Sequence, residues 1–164
     1  MDILYHALTG IAISKSMGGS DPALAAVAAI LPDIVGATPF YYYKFRQALA
    51  SPPTAFPRLL FTLLTSNKFS NAIDAASYRI THSLFAALGV AILAYFVYPN
   101  SWIIISLSYL SHILIDIPTH EGDFATRICY PWDMHTRLGK NWSTNWQVSL
   151  AFWLYLGSVY LVIG

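Results

Sequence analysis

The chain has 164 residues, of which 56% are hydrophobic and 10% are charged, whereas soluble domains carry about 25% charged residues, so the composition indicates a membrane protein. The net charge of +1, without a basic stripe or a glycine-rich phosphate loop, argues against nucleic acid as a partner. The single cysteine, Cys129, excludes an internal disulfide and a cysteine-rich zinc ribbon.

The first helix is predicted over about Ile3–Ser16, where apolar residues recur at helical spacing. This segment could be mistaken for a signal peptide. However, no Lys or Arg precedes it, and Asp2 stands where a signal peptide carries positive charge. We therefore interpret the segment as a helix that is retained in the protein.

The second helix is predicted to begin at Ser20-Asp21-Pro22, where a cap residue is followed by a proline in the first turn. Pro32 is expected to disturb the last turn of this helix, and Gly36 is expected to stop it. The predicted end of the helix is therefore near Val35.

The rest of the chain divides into one irregular segment and several apolar stretches. Residues 37–70 are expected to be less regular, with one short helix near Arg58–Leu64. Residues 80–115, broken at Pro99-Asn100-Ser101, and residues 141–164 contain no Asp, Glu, Lys or Arg. The predicted helices here are about Asn71–Tyr98, Trp102–Ile117 and Asn145–Ile163, with a polar loop over 118–144.

No segment shows the alternation of apolar and polar residues that is typical of a strand. We therefore expect an all-α, membrane-embedded bundle of about five to six helices, forming one domain over residues 1–164.

The basic residues predict how the bundle is oriented. If the helices after residue 71 cross the membrane, loops 37–79 and 118–144 lie on one side and together hold eight of the nine basic residues. The positive-inside rule assigns this side to the cytoplasm. We therefore expect a protein surrounded by the lipid bilayer of a bacterial or archaeal cytoplasmic membrane. The sequence makes no prediction of the oligomeric state.

Five side chains of the type that binds metals come together at one end of the bundle if the helices alternate in direction. They are His6, Asp33, His82, His112 and Asp116. His112 and Asp116 are four residues apart, so they share a helix face and can hold the same ion. Imidazole and carboxylate ligands suit a divalent metal, zinc first and manganese or iron as alternatives. The set is sufficient for one ion, or for two that share a bridging carboxylate from Asp33 or Asp116.

Other polar side chains near this end have supporting roles in the prediction. Thr81 and Ser83 would orient the metal ligands. Asp123 and Asp133, in the loop that follows, are further candidates for a general acid or base. The predicted metal site and its polar surroundings therefore lie on the side that carries most of the basic residues.

Arg79 and two loop histidines require separate interpretation. Arg79 precedes His82 by three residues, so on a helix the two point to a similar face. An arginine there could bind a phosphate or stabilise an anionic transition state, or it could contact lipid headgroups. His120 and His135 are expected to be solvated rather than bound to metal.

Four short sequence blocks occur in one order: YHALTG at 5–10, ILPDI at 30–34, YRITHSL at 78–84 and SHILIDIPTHEG at 111–122. Together, over residues 1 to about 132, they resemble the YdjM-like membrane-bound metal-dependent hydrolases. That family looks related to zinc-dependent phospholipase C and the P1-type nucleases, which are all-helical enzymes with clustered zinc ions. The resemblance implies metal ligands at His6, Asp33, His82, His112 and Asp116. The later H-x-x-x-E pair of the phospholipases does not occur in this sequence, so a full three-zinc site is not expected.

The sequence thus favours an integral membrane, metal-dependent hydrolase that acts on phosphoesters, with lipids among the candidate substrates. Asp33, Asp116 and Arg79 are its predicted catalytic residues. One alternative is a non-catalytic membrane protein in which the same cluster is a structural metal site or a proton or ion relay. Another is a small scaffold whose histidines lie at an interface and bind no metal.

Overall fold

The computed structural model describes residues 3–19, 21–52, 57, 69, 71–132 and 139–163, and all regular secondary structure in these ranges is helical. The all-α prediction is therefore confirmed. The helices are α1 (Ile3–Ser16), α2 (Pro22–Ala50), α3 (Ala72–Thr81), α4 (Leu84–Val97), α5 (Trp102–Thr119) and α6 (Trp146–Ile163), with a short 3-10 turn at Gly122–Phe124. The predicted bounds of α1 and α6 hold to within one residue. The short helix expected near residues 58–64 lies outside the described residues.

Helix α2 is much longer than predicted, since it continues through Pro32 and Pro39 to Ala50. The prediction that it ends near Val35 was wrong. Gly36 does not stop the helix; instead it allows close packing, because a Cβ at this position would lie 2.6 Å from the hydroxyl oxygen of Thr81. The contact with α3 thus explains the glycine, and tertiary packing outweighs its low helix propensity.

The predicted helix over residues 71–98 is divided into α3 and α4, whose axes differ by 58°. The prediction of a continuous helix was therefore wrong. The Ser83 hydroxyl oxygen caps α4 by accepting a hydrogen bond from the Ala86 N–H at 3.2 Å, and the Leu84 N–H donates to the Ile128 carbonyl at 2.9 Å. These bonds satisfy amides at the start of α4 that a helix terminus would otherwise leave unpaired. As a result, His82 lies at a corner between two helices.

Among the residues that the structure describes, three helices are long and apolar enough to cross a membrane: residues 22–47 of α2, α5 and α6. The bent pair of α3 and α4 would be a fourth crossing if both helices form one span. Large apolar side chains such as Phe96, Leu161 and Val162 are strongly exposed. Exposed apolar surface of this extent is stable when it faces lipid rather than water.

The described interior of the bundle contains two clusters of buried apolar residues and a group of buried polar residues. Small residues let α1 and α2 approach closely, as at Gly10, where a Cβ would collide with the Ala25 backbone. Tyr5, Ala12 and Leu156 form one apolar cluster, and Ala28, Ala94 and Ile105 form another. The fully buried polar residues include three histidines and an aspartate, namely His6, His82, His112 and Asp116.

Candidate metal centre

The structure brings the five predicted ligand residues together at one end of the bundle. His6 comes from α1, Asp33 from α2, His82 from the corner between α3 and α4, and His112 and Asp116 from the second half of α5. All are fully buried except Asp33, whose side chain is 27% exposed. Four different parts of the chain therefore contribute to one polar cluster within an otherwise apolar bundle.

Four of these residues have ligand atoms within 4.8 Å of one another and could hold a metal ion: Asp33, His82, His112 and Asp116. We refer to these four as the four-residue cluster. The Nε2 atoms of His82 and His112 are 3.1 Å apart, and Asp33 Oδ1 lies 3.4 Å from the first and 3.5 Å from the second. Asp116 Oδ2 lies 3.4 Å from His82 Nε2 and 3.2 Å from His112 Nε2.

These five spacings are close to the edge length of a tetrahedron of zinc ligands, and the sixth, between the carboxylate oxygens of Asp33 and Asp116, is at most 4.8 Å. Ligand atoms placed about 2.0–2.1 Å from a tetrahedral ion are about 3.3–3.4 Å from one another. The five distances between ligand atoms range from 3.1 to 3.5 Å. The four-residue cluster therefore has the size that a first-row divalent cation requires.

Backbone carbonyls determine which ring nitrogen of each histidine faces the cluster. The Nδ1–H of His82 donates to the Tyr78 carbonyl at 2.9 Å, and the Nδ1–H of His112 donates to the Ala29 carbonyl at 2.6 Å. Because a carbonyl only accepts hydrogen bonds, the hydrogen of each neutral ring is on Nδ1 and its Nε2 carries a lone pair. The two Nε2 atoms and two carboxylates thus converge on one point, an arrangement that a cation stabilises.

Aromatic and hydroxyl groups support the two histidines of the four-residue cluster. The Tyr78 ring stacks on His82 with 3.8 Å between centroids, and the His6 ring stacks on His112 at 3.7 Å. The Thr81 hydroxyl lies 3.1 Å from His82 Nδ1, which is consistent with the orienting role predicted for it. The described hydrogen bonds of the Ser83 side chain join backbone groups at the start of α4 instead.

Two more histidines face the second oxygen of Asp116. His6 Nε2 and His120 Nδ1 each lie 3.2 Å from Asp116 Oδ1. Burial lowers the pKa of His6 to about 4, so this imidazole is neutral at physiological pH.

The expectation that His120 is solvated was wrong: its side chain is only 17% exposed and lies against Asp116. Its spacing of four residues from Asp116 was the signal in the sequence, since α5 extends to Thr119.

No described contact joins the remaining predicted site residues to the four-residue cluster. Arg79, in the last turn of α3, has a buried Nε with no hydrogen-bond partner among the described residues. Asp123 is exposed in the 3-10 turn. Asp133 and His135 lie outside the described residues.

A cavity of about 970 Å³ adjoins the four-residue cluster. Asp33 and His120, the two members of the polar centre with exposed surface, line part of its wall. Most other lining residues are apolar or aromatic, among them Phe40, Tyr41, Phe45, Phe69, Phe124 and Trp142. The cavity therefore connects a polar centre with an apolar space large enough for a sizeable ligand.

Comparison with known proteins identifies a family. The family model described as YdjM inner membrane protein matches residues 1–163. Neither the curated proteins nor the solved structures contain a match to this chain.

Proposed function

Because the chain belongs to the YdjM inner membrane protein family, we propose that its polar centre makes it a metal-dependent hydrolase of phosphoesters in the membrane. One observation carries the proposal: the Nε2 atoms of His82 and His112 converge with two carboxylates at the spacing of metal ligands. A cation would stabilise this arrangement of buried groups. The membrane location follows from the family and from the apolar helices.

Zinc is the metal that the four-residue cluster favours. Two imidazole nitrogens and two carboxylate oxygens at tetrahedral spacing are typical zinc ligands, whereas manganese and iron usually take more ligands. A divalent metal with an open coordination position at this centre would supply Lewis-acid polarisation of a phosphoryl oxygen and would activate a water molecule. Phosphoester hydrolysis uses both effects.

The two aspartates of the four-residue cluster take different roles in this proposal. Asp116 is fully buried and contacts four histidines, so it holds the centre together. Asp33 is partly exposed and lines the cavity, so it can accept the proton of an attacking water. Arg79 would bind the charged phosphoryl group, although it is not among the residues that line the cavity.

The apolar cavity supports a lipid as the phosphoester substrate. Its wall includes Phe40, Tyr41 and Phe45 of α2, a helix long and apolar enough to span the membrane. An acyl chain would lie against these side chains while the headgroup phosphate reaches Asp33 and His120. The distribution of basic residues supports a centre on the cytoplasmic side of the membrane.

A structural metal site is the second candidate, and one observation favours it. Four protein ligands complete a tetrahedral zinc site, and structural zinc sites are closed in this way, whereas catalytic sites keep a position open. In that case the protein binds the metal but has no hydrolytic activity.

The experiment that tests the proposal starts with the metal content of protein purified in detergent without chelator or polyhistidine tag. Mass spectrometry would compare wild type with His112→Ala and with Tyr109→Phe, a control that removes only the hydroxyl bonded to the Thr81 carbonyl. The same samples would then be incubated with phosphatidylcholine vesicles, and released phosphate ester would be measured. Metal and activity that are both lost in His112→Ala and kept in Tyr109→Phe support the hydrolase. Metal without activity on lipid or soluble phosphoesters supports the structural site, and the absence of metal from folded wild type rejects both.

A further inference from the structure

Asp116 contacts histidines through both of its carboxylate oxygens, and the two oxygens face different rings. Oδ2 faces His82 and His112. Oδ1 lies 3.2 Å from His6 Nε2 and 3.2 Å from His120 Nδ1. We propose that Asp116 bridges two metal ions, of which the second is held by Oδ1, His6 and His120. The proposal rests on the first ion being bound by the four-residue cluster.

The surroundings of His6 support a ligand role for this ring. His6 is fully buried, and neither of its ring nitrogens has a hydrogen-bond partner among the described residues. Its Nε2 is close to Asp116 Oδ1 but is not oriented to hydrogen-bond with it. Buried polar atoms without partners are costly, so this nitrogen is expected to have one. An ion between Nε2 and Oδ1 supplies that partner, and the 3.2 Å separation is the spacing expected for two ligands of one ion.

His120 completes the second site and connects it with the cavity. The ring lies one helical turn beyond Asp116, and its side chain is partly exposed in the cavity wall. Three protein ligands leave a coordination position open, which is the arrangement of catalytic rather than structural sites. The second ion is therefore the one that meets the substrate, and the closed four-residue cluster fixes Asp116 in place for it. Two ions that share a carboxylate form the two-metal arrangement used in phosphoester hydrolysis.

A different role for His120 would also place its Nδ1 atom 3.2 Å from Asp116 Oδ1. Its Nδ1 also lies 3.2 Å from the Thr119 hydroxyl oxygen, so the ring could donate a hydrogen bond to Asp116 and bind no metal. His120→Asn separates the two roles. The amide nitrogen of asparagine can donate a hydrogen bond from a similar position, but it does not bind metal ions as an imidazole does.

The test measures the number of zinc ions bound per chain. Full-length protein would be loaded with zinc, and excess zinc would be removed by gel filtration in detergent. The bound zinc would then be measured by mass spectrometry. Wild type, His6→Ala, His120→Ala and His120→Asn would be compared, with Tyr109→Phe as the control. Circular dichroism and the elution volume would establish that each variant is folded. Manganese-loaded samples would also be examined by electron paramagnetic resonance, because two ions joined by a carboxylate give a coupled spectrum and single ions do not.

We expect two zinc ions in wild type and in Tyr109→Phe, and one ion in each His6 and His120 variant, with the coupled manganese spectrum lost. One ion in wild type would overturn the second site, whereas the proposed function is tested separately by the release of phosphate ester from vesicles. Two ions retained in His120→Asn would overturn His120 as a ligand, and two ions retained in His6→Ala would do the same for His6. If His6→Ala does not fold, the two His120 variants and the wild-type spectrum still decide the proposal. No zinc in folded wild type would reject both the second site and the proposed function.

Discussion

Tyr78 and His82, one helical turn apart, are joined by three contacts. Their rings stack with 3.8 Å between centroids. The Tyr78 carbonyl accepts the backbone N–H of His82 at 3.0 Å and its ring Nδ1–H at 2.9 Å. His82, the residue that follows α3, is thus held in one ring orientation, with Nε2 facing the other members of the four-residue cluster. Tyr78 therefore orients a residue of the candidate metal centre without contributing a ligand atom.

The first prediction concerns this stacked ring. Tyr78→Leu removes the aromatic face that holds His82 and should weaken zinc binding about 10- to 100-fold, the usual effect of losing a group that orients a metal ligand. Tyr78→Phe keeps the ring and removes only the hydroxyl, which donates to the Phe124 carbonyl at 3.2 Å. Zinc affinity, measured by competition with a chromogenic chelator, should therefore fall clearly in the leucine variant and little in the phenylalanine variant. Equal affinities in the two variants would contradict the orienting role.

The second prediction concerns the contact between α2 and α3 at Gly36. In Gly36→Ala the new methyl group would lie 2.6 Å from the Thr81 hydroxyl oxygen and 3.5 Å from His82 Cε1, so the Thr81 side chain or the backbone of α3 must shift. Overpacking of this kind costs about 1–3 kcal/mol, and it should also weaken metal binding because Thr81 lies beside the ring of His82, a member of the four-residue cluster.

Gly89→Ala is the matched control for that variant. Gly89 is exposed on α4, and no atom lies within 4 Å of a Cβ built there. Replacing a helical glycine by alanine in open space stabilises a helix by about 0.5–1 kcal/mol. Thermal unfolding in detergent should therefore give a lower Tm for Gly36→Ala and an unchanged or higher Tm for Gly89→Ala. A Gly36→Ala variant with normal Tm and metal content would show that the contact with α3 has no energetic importance.

Much of the fold could be predicted from the distribution of apolar residues, because helices that face lipid are apolar over most of their length. The bounds of α6 follow from a charge-free stretch, and those of α1, which contains Lys15, follow from the helical spacing of its apolar residues. The extension of α2 could not be predicted, since Pro32 and Gly36 are local stop signals and the contact that overrides them comes from Thr81, 45 residues beyond Gly36. The corner at His82 was missed for a similar reason: neither glycine nor proline marks it, and Leu84 bonds to the distant Ile128.

The candidate site was easier to predict than the helix ends. Polar residues that are costly in an apolar bundle must meet one another, so the convergence of His6, Asp33, His82, His112 and Asp116 could be inferred without knowing the helix boundaries. His120 was missed because the end of α5 was placed at Ile117, two residues too early, which put this histidine in a loop. The division of the histidines between the two oxygens of Asp116 depends on ring orientations, which a sequence does not contain.

The third prediction compares two helix caps. The Asn71 side chain accepts hydrogen bonds from the backbone N–H groups of Ile73 and Asp74 at 2.8 and 3.0 Å, whereas Ser101, at the start of α5, makes no side-chain cap bond. Asn71→Ala should therefore cost about 1 kcal/mol, and Ser101→Ala should cost much less. Hydrogen exchange of the α3 amides, together with the Tm, would measure the difference. Similar losses in the two variants would show that the Asn71 cap bonds do not stabilise α3.

The last prediction concerns removal of the metal. Without an ion, the Nε2 atoms of His82 and His112 lie 3.1 Å apart beside two carboxylates and lose the cation that would join these groups, so the metal-free protein should be less stable. A ligand that binds only the folded state stabilises it by about 4 kcal/mol when its concentration is 1,000 times its Kd. A chelator should therefore lower the Tm of wild type, and added zinc should restore it. In His112→Ala, which lacks one of the four ligands, the chelator should have little effect, because little metal is bound at the start. A wild-type Tm that does not change on complete removal of bound zinc would contradict an energetic link between the metal and the helices that hold it.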